Sequence, residues 1–127
     1  MKERISPEDM DFEIRFYEAI LREKPDFIEA LMALGDLYTK KKMNQEALEI
    51  DKHLAHLRPD DGVILYNLSC SYSLLNEINK ALENIARAIA HGYDDIEYLE
   101  KDNDLVNLRK DRRFQRLLSH IKKMQAR

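Results

Sequence analysis

The stretch IEALMALGDLYTKKKMNQEALEIDKHLAHLRPDD, residues 28–61, is followed at once by GVILYNLSCSYSLLNEINKALENIARAIAHGYDD, residues 62–95. Laid over each other at a shift of 34, the copies match Leu31 with Leu65, Leu34 with Leu68, Tyr38 with Tyr72, Ala47-Leu48-Glu49 with Ala81-Leu82-Glu83, and Asp60-Asp61 with Asp94-Asp95. Internal repetition at this period signals stacked supersecondary units. In the first copy an apolar set spaced three or four apart (Leu31, Leu34, Tyr38) precedes a second set beginning at Ala47 and continuing through Leu48, Ile50, Leu54 and Leu57. That spacing lines one face of a helix, so each copy reads as two amphipathic helices.

Helix ends are marked by residues with mechanical reasons to stand there. Ser6 can cap a first helix near 7–23, where Pro7 loses no needed N–H. Pro25 bars continuation, and Asp26 with Glu29 predicts the next start, while Lys40-Lys41-Lys42 fall at that helix's negative end. Asn44, Pro59-Asp60-Asp61 and Asn79 predict the following starts, and Gly92 reads as a left-handed residue after a helix end. Helices near 26–41, 44–57, 61–75 and 78–91 result. Two helix pairs cannot bury their apolar faces alone, so flanking helices should cover them. Phe12, Phe16, Tyr17 and Ile20 offer cover before the first copy. Tyr98-Leu99, Leu105, Leu108, Phe114, Leu117-Leu118 and Ile121 offer it after the second.

With the period established, residues 28–61 resemble the tetratricopeptide repeat, carrying Leu31, Leu34-Gly35, Tyr38, Ala47 and Pro59 at that family's signature spacing. In the second copy Leu65, Leu68, Tyr72, Ala81 and Ala88 fit, but Ser69 stands for the usual Gly and Tyr93 for the usual Pro, which implies a different exit turn. Residues 13–25 look like the second half of a preceding repeat. The run from Gly92 through Asp95, Leu99, Asp102, Asp104-Leu105, Leu108-Arg109, Asp111 and Arg113-Phe114 to Leu117-Leu118 looks like a closing segment common on small bacterial proteins of this class, with Asn103 and Arg112 where Pro is frequent. The resemblance implies an all-α fold: a right-handed α-α superhelix, or solenoid, of about seven helices. Residues 1–127 would form one domain, with a capping helix or half repeat at 7–25, repeats at 28–61 and 62–95, and capping helices with a basic tail at 96–127.

The function implied is a non-enzymatic adaptor or scaffold that binds a peptide or protein segment in a concave groove. The family's groove positions fall on Glu29, Met32, Asp36, Thr39 and Lys40 of the first copy and on Val63, Tyr66, Asn67, Cys70 and Leu74 of the second. Ordinary core packing is the competing reading for Met32, Val63 and Leu74, whereas Tyr66 and Asn67 combine contact area with polar ends. One branch of the family clamps the carboxylate tails of chaperones with Lys and Asn. Here Asn67 holds one such place, but Met32 and Asp36 hold the first-repeat places, so a chaperone-tail receptor is not expected. Glu29 and Asp36 instead favour a partner with basic and apolar residues. A homodimer through the open stack ends is a further expectation.

Composition narrows the remaining classes. Three Gly (Gly35, Gly62, Gly92) are scattered and make no phosphate loop. Cys70, the single cysteine, reads as a small packing residue rather than a nucleophile. His53 and His56, three apart, could share a metal with Asp60 only with further ligands that the sequence does not supply. His91 and His120 are isolated, and the sequon Asn67-Leu68-Ser69 falls inside a predicted helix. No cofactor, metal or catalytic set is expected. Residues 1–108 hold 13 Lys/Arg against 23 Asp/Glu, a net −10, and residues 109–127 hold 8 against 1, a net +7. The basic end reads as a helix lying on an acidic body, or alternatively as a docking face for nucleic acid or anionic lipid through Arg109, Lys110, Arg112, Arg113, Arg116, Lys122 and Lys123. The polar start at Met1-Lys2-Glu3-Arg4, the lone cysteine and the lack of any long apolar run predict a reducing, cytoplasmic setting.

Overall fold

Helix α1 spans Pro7–Glu23, α2 Ile28–Lys40, α3 Asn44–Leu57, α4 Gly62–Leu74 and α5 Ile78–Ala90 in a computed structural model that describes residues 5–126. The polar start at residues 1–4 and Arg127 of the basic tail lie outside the described residues. Past Gly92 the chain forms two short helices, α6 (Ile96–Leu99) and α7 (Val106–Arg109), joined by a 3₁₀ turn at Asn103–Leu105, and then the long α8 (Arg112–Gln125). No strand occurs among the described residues, and the fold is all-α. Each of helices α2 to α5 packs on the one before it, and the 3₁₀ turn and α7 pack on α4.

The 34-residue period is written into the backbone as well as the sequence. Helix α2 and helix α4 begin and end one period apart. So do the two left-handed residues that turn each first helix into its second, Lys42 at φ 60° and Asn76 at φ 59°. Leu31, Leu34 and Tyr38, and likewise Leu65 and Leu68, are buried with Ala47 and Ala81 opposite them. Leu31, Leu54 and Ile64 join one repeat to the next, while Leu65, Ile85, Leu99, Leu105, Leu108, Phe114 and Ile121 form the larger core at the C-terminal end. Removing water from such contacts is the main stabilising term, about 25 cal/mol for each Å² of apolar surface.

Helix starts agree with sequence expectation where a side chain caps, and differ elsewhere. Ser6 accepts from the Asp9 N–H at 3.1 Å, and Asp61 accepts from the Val63 and Ile64 N–H groups. Asp26 does not cap α2: Phe27 takes the N-cap place without a side-chain bond, and the Asp26 carboxylate instead meets His53 Nε2 at 2.9 Å. Asn44 and Asn79 lie inside α3 and α5 rather than at their caps, which are Met43 and Glu77. Packing of the apolar face sets these starts, and no cap bond is needed to do so. Gly92 has φ 100°, as expected of a residue closing a helix.

The two departures from the repeat signature have structural reasons. Ser69, completely buried, donates to the Ala81 carbonyl at 2.7 Å and ties α4 to α5. Tyr93 donates its backbone N–H to the Ala88 carbonyl at 2.9 Å, a bond that proline lacks, and its ring stacks on Tyr66 with centroids 4.2 Å apart. The second copy therefore leaves by a different turn from the first.

Candidate protein-binding groove

The first helices of the two repeats, α2 and α4, line a concave face, and the closing segment at residues 96–109 supplies its far wall. Three contacts fasten that wall to α4. Ser73, fully buried near the end of α4, accepts from the Leu108 N–H at 3.1 Å through its hydroxyl and from Asn107 Nδ2 at 3.0 Å through its carbonyl. Arg109 donates to the Leu99 and Asp102 carbonyls at 3.2 and 2.6 Å, holding the break between α6 and α7 closed. The Asp102 carboxylate receives the Asp104 N–H at 2.9 Å and the Tyr66 hydroxyl at 2.5 Å.

Within this face lies a cleft of about 360 Å³, walled by Met32, Gly35, Asp36, Thr39, Asp51, Leu54, Tyr66, Asn67, Cys70, Ser71, Leu74, Tyr98, Asp102 and Asp104. Four walls are aspartates, and none is Lys, Arg or His. Of the residues that the repeat positions single out, the fold brings Met32, Asp36, Thr39, Tyr66, Asn67, Cys70 and Leu74 to the cleft. Glu29, Lys40 and Val63 are exposed but stand outside it, and Lys40 pairs with Asp36 across 2.9 Å. Met32 and Val63 are exposed rather than packed, whereas Leu74 is half-buried. Tyr66 is 5% exposed and acts as a wall held by Tyr93 and Asp102, so it is not a free anchor. Tyr98, 48% exposed, is the accessible aromatic of the cleft.

Sequence reasoning missed Asp51, Ser71, Tyr98, Asp102 and Asp104. The first two belong to the seam where α3 meets α4, and the Ser71 hydroxyl donates to Asp51 at 2.5 Å. The last three belong to the closing segment, whose apolar residues were legible but whose orientation toward the groove was not. Burial pushes the Asp51 carboxyl up to about 6 from 3.8, opposed by the Ser71 hydrogen bond. Burial, then the neighbouring Asp102 and Asp36 charges, raises Asp104 as well. Crowded carboxylates favour protonation, and a cation relieves the conflict; of those around Asp104, Asp36 already has Lys40 beside it.

Cys70, Asp102 and Asp104 hold three ligand-type atoms within 4.8 Å of one another. Cys70 is buried, its Sγ lies 3.8 Å from the Asp102 carboxylate, and burial followed by Asp102 and Asp104 drives its thiol well above the usual range. Thiolate is the reactive and metal-binding form, so this setting suppresses it. The histidines and Asp60 do not gather into a metal site: His53 pairs with Asp26, and His91 lies 3.7 Å from Asp60. Of the basic tail, Arg109 is spent inside the closing segment, Arg113 bonds Asp111 and Asn79, and Lys122 bonds Glu100 at 2.7 Å. Lys110, Arg112, Arg116 and Lys123 remain exposed. No helix among the described residues is long and apolar enough to cross a membrane.

No protein-family model matches the chain. Two curated proteins are similar to part of it. A chloroplastic protein of Arabidopsis thaliana is 33% identical over 90 residues, which cover 68% of this chain and 27% of that protein. The BBSome complex member BBS4 homolog of Drosophila melanogaster is 31% identical over 78 residues, covering 61% of this chain and 16% of that protein. The chain thus spans about a quarter or less of the length of either relative. Among solved structures, MamA 41-end from Desulfovibrio magneticus RS-1 superposes with a TM-score of 0.68 at 17% identity, covering 92% of this chain and 68% of that one. The chain has a tetratricopeptide-like fold.

Proposed function

We propose that the chain is a non-catalytic interaction module whose concave groove receives a protein segment bearing a basic side chain beside apolar ones. One observation carries the reading: a cleft with four aspartates, no cationic wall, and apolar or aromatic surface at Met32, Leu54, Leu74 and Tyr98. A guanidinium or ammonium placed among Asp36, Asp102 and Asp104 gains charge-assisted hydrogen bonds, and apolar neighbours on the guest cover Met32 and Tyr98. Electrostatic complementarity of this kind sets which partner is accepted and how fast it arrives. Interaction modules on this scaffold vary their guests by groove decoration while the helices stay fixed. A soluble cytoplasmic setting suits the free Cys70 and belongs to the same proposal.

A random peptide library selected on the immobilised chain tests it. Sequences with Lys or Arg flanked by apolar residues should be enriched, and a selected peptide should lose about tenfold or more in affinity against Asp36→Lys or Asp104→Lys, since each puts a repelling charge at the groove. Enrichment of acidic peptides, or equal binding by both variants, refutes the reading. Asn67→Ala is a better truncation probe than Tyr66→Ala, because Tyr66 also holds the closing segment.

A further inference from the structure

The carboxylates of the cleft differ in what they still have to offer. Asp102 already accepts from the Tyr66 hydroxyl, the Asp104 N–H and the Cys70 thiol, and Asp36 has Lys40 beside it. Two others keep oxygens that no donor reaches among the described residues. Asp104, half-buried, uses only its backbone N–H, toward Asp102. Asp51 is 6% exposed and takes the Ser71 hydroxyl on Oδ2 alone, so its Oδ1 has no hydrogen-bond donor. A Cβ on Gly35 would come within 3.3 Å of that oxygen, and glycine at this wall of the cleft leaves it clear. A charged oxygen nine-tenths withdrawn from water and given no donor by its own chain is a site that a ligand's donor can complete.

Building on the function proposed above, we propose that the basic residue the groove accepts is an arginine, with Asp51 the deepest acceptor of its guanidinium. Depth decides between the two cations. An ammonium is strongly hydrated and gives up its proton readily when buried, whereas a guanidinium is weakly hydrated, stays charged and carries five donors in a planar fork. Those donors suffice for Asp104 and for Asp51 Oδ1 together. Tyr98 adds a flat surface at the same corner: it lines the cleft, and the Asp102 charge, ahead of burial and Asp104, raises its hydroxyl, so ring and carboxylates lie close. A planar cation can rest on such a ring while its edge faces the acids. A lysine stays with the outer carboxylates, Asp36 and Asp104, where water still reaches its ammonium. Ionised Asp51 has no cation in the empty chain, and the guanidinium supplies one.

Three short peptides test the proposal, each acetylated and amidated and each carrying one residue between leucines: arginine, lysine, or citrulline as arginine's neutral isostere. They are titrated into the isotope-labelled 127-residue chain, and the amide shifts of Met32, Thr39, Asn67 and Leu74 report binding in the cleft. The arginine peptide should bind about tenfold or more tightly than the lysine peptide, and citrulline should move none of these signals. Asp51→Asn removes the deep charge without opening a cavity. It should weaken the arginine peptide about tenfold and the lysine peptide about twofold or less, a split that a general loosening of the fold would not produce. Equal affinities for arginine and lysine, or equal losses for both in Asp51→Asn, overturn this inference and leave the preference for basic guests standing. Citrulline binding as well as arginine, or no cleft shifts with either charged peptide, overturns the basic-guest reading and this inference with it.

Discussion

Replacing Asp51 by Asn should make the protein more stable at neutral pH, although it removes a hydrogen-bonded charge. The carboxylate is 6% exposed, between Gly35 of α2 and Ser71 of α4, and no cation reaches it. Burial holds its pKa at about 6 in the folded chain against 3.8 ordinarily. That gap, at about 1.36 kcal/mol for each pH unit, makes ionised Asp51 an unfavourable contribution of about 3 kcal/mol. Asparagine still accepts the Ser71 hydroxyl but forfeits the strengthening that charge gives that bond, about 1 kcal/mol, so the net gain is about 1–3 kcal/mol. The sign follows from proton binding. Between about pH 4 and 6 the folded state binds more protons at Asp51 than the unfolded state, so this group's contribution to stability falls as pH rises through that window and is flat above it. Urea unfolding of both proteins across about pH 4–7.5 should show little difference at the acid end and the full gain above about pH 6. An Asn variant that is equally or less stable at neutral pH, with a difference that does not change with pH, refutes the reasoning.

Two glycine and turn substitutions test the geometry of the second repeat. A Cβ on Gly62 would sit 3.0 Å from the carbonyls of Ala88 and His91 and from the Tyr93 nitrogen, all backbone atoms that no rotamer change can move. Gly62→Ala should therefore lower stability by about 1–2 kcal/mol despite alanine's better helix propensity, read as a fall in Tm. Tyr93→Pro, which restores the family residue, should destabilise by about 2–3 kcal/mol, since it removes both the N–H bond to Ala88 and the ring stacked on Tyr66. A Tm equal to or above that of the parent chain would show that the exit turn tolerates either residue.

The repeat was legible because its signal is redundant: both ends of α2 and α4, and the starts of α3 and α5, fall one period apart, so α2 to α5 follow from matched apolar residues. Cap chemistry was a poorer guide. Asp26, Asn44 and Asn79 have the right side chains, yet the backbone starts where buried faces meet, and cap bonds are too small to move it. Lys42 at positive φ could not be read from its identity, although Asn76 one period later tolerates that conformation and marks the shared turn. At the groove, positions on α2 and α4 came from the family resemblance that the period supports. Asp102 and Asp104 were not, because the closing segment breaks the period and only its contacts with Ser73 and Tyr66 turn those carboxylates toward the cleft.

The departures from the repeat and the acidity of the groove are linked. Tyr93 in place of proline puts a ring against Tyr66; that ring fixes Tyr66 so that its hydroxyl reaches Asp102; and Asp102, through Asp104, orders the 3₁₀ turn that finishes the cleft. A third regular repeat would present another helix face at this place. The broken segment instead brings side chains from Tyr98, Asp102 and Asp104 over the end of α4, narrowing an open channel to a pocket with a negative floor. On the function proposed above, groove selectivity rests on the segment that departs from the repeat, with α2 and α4 as its platform.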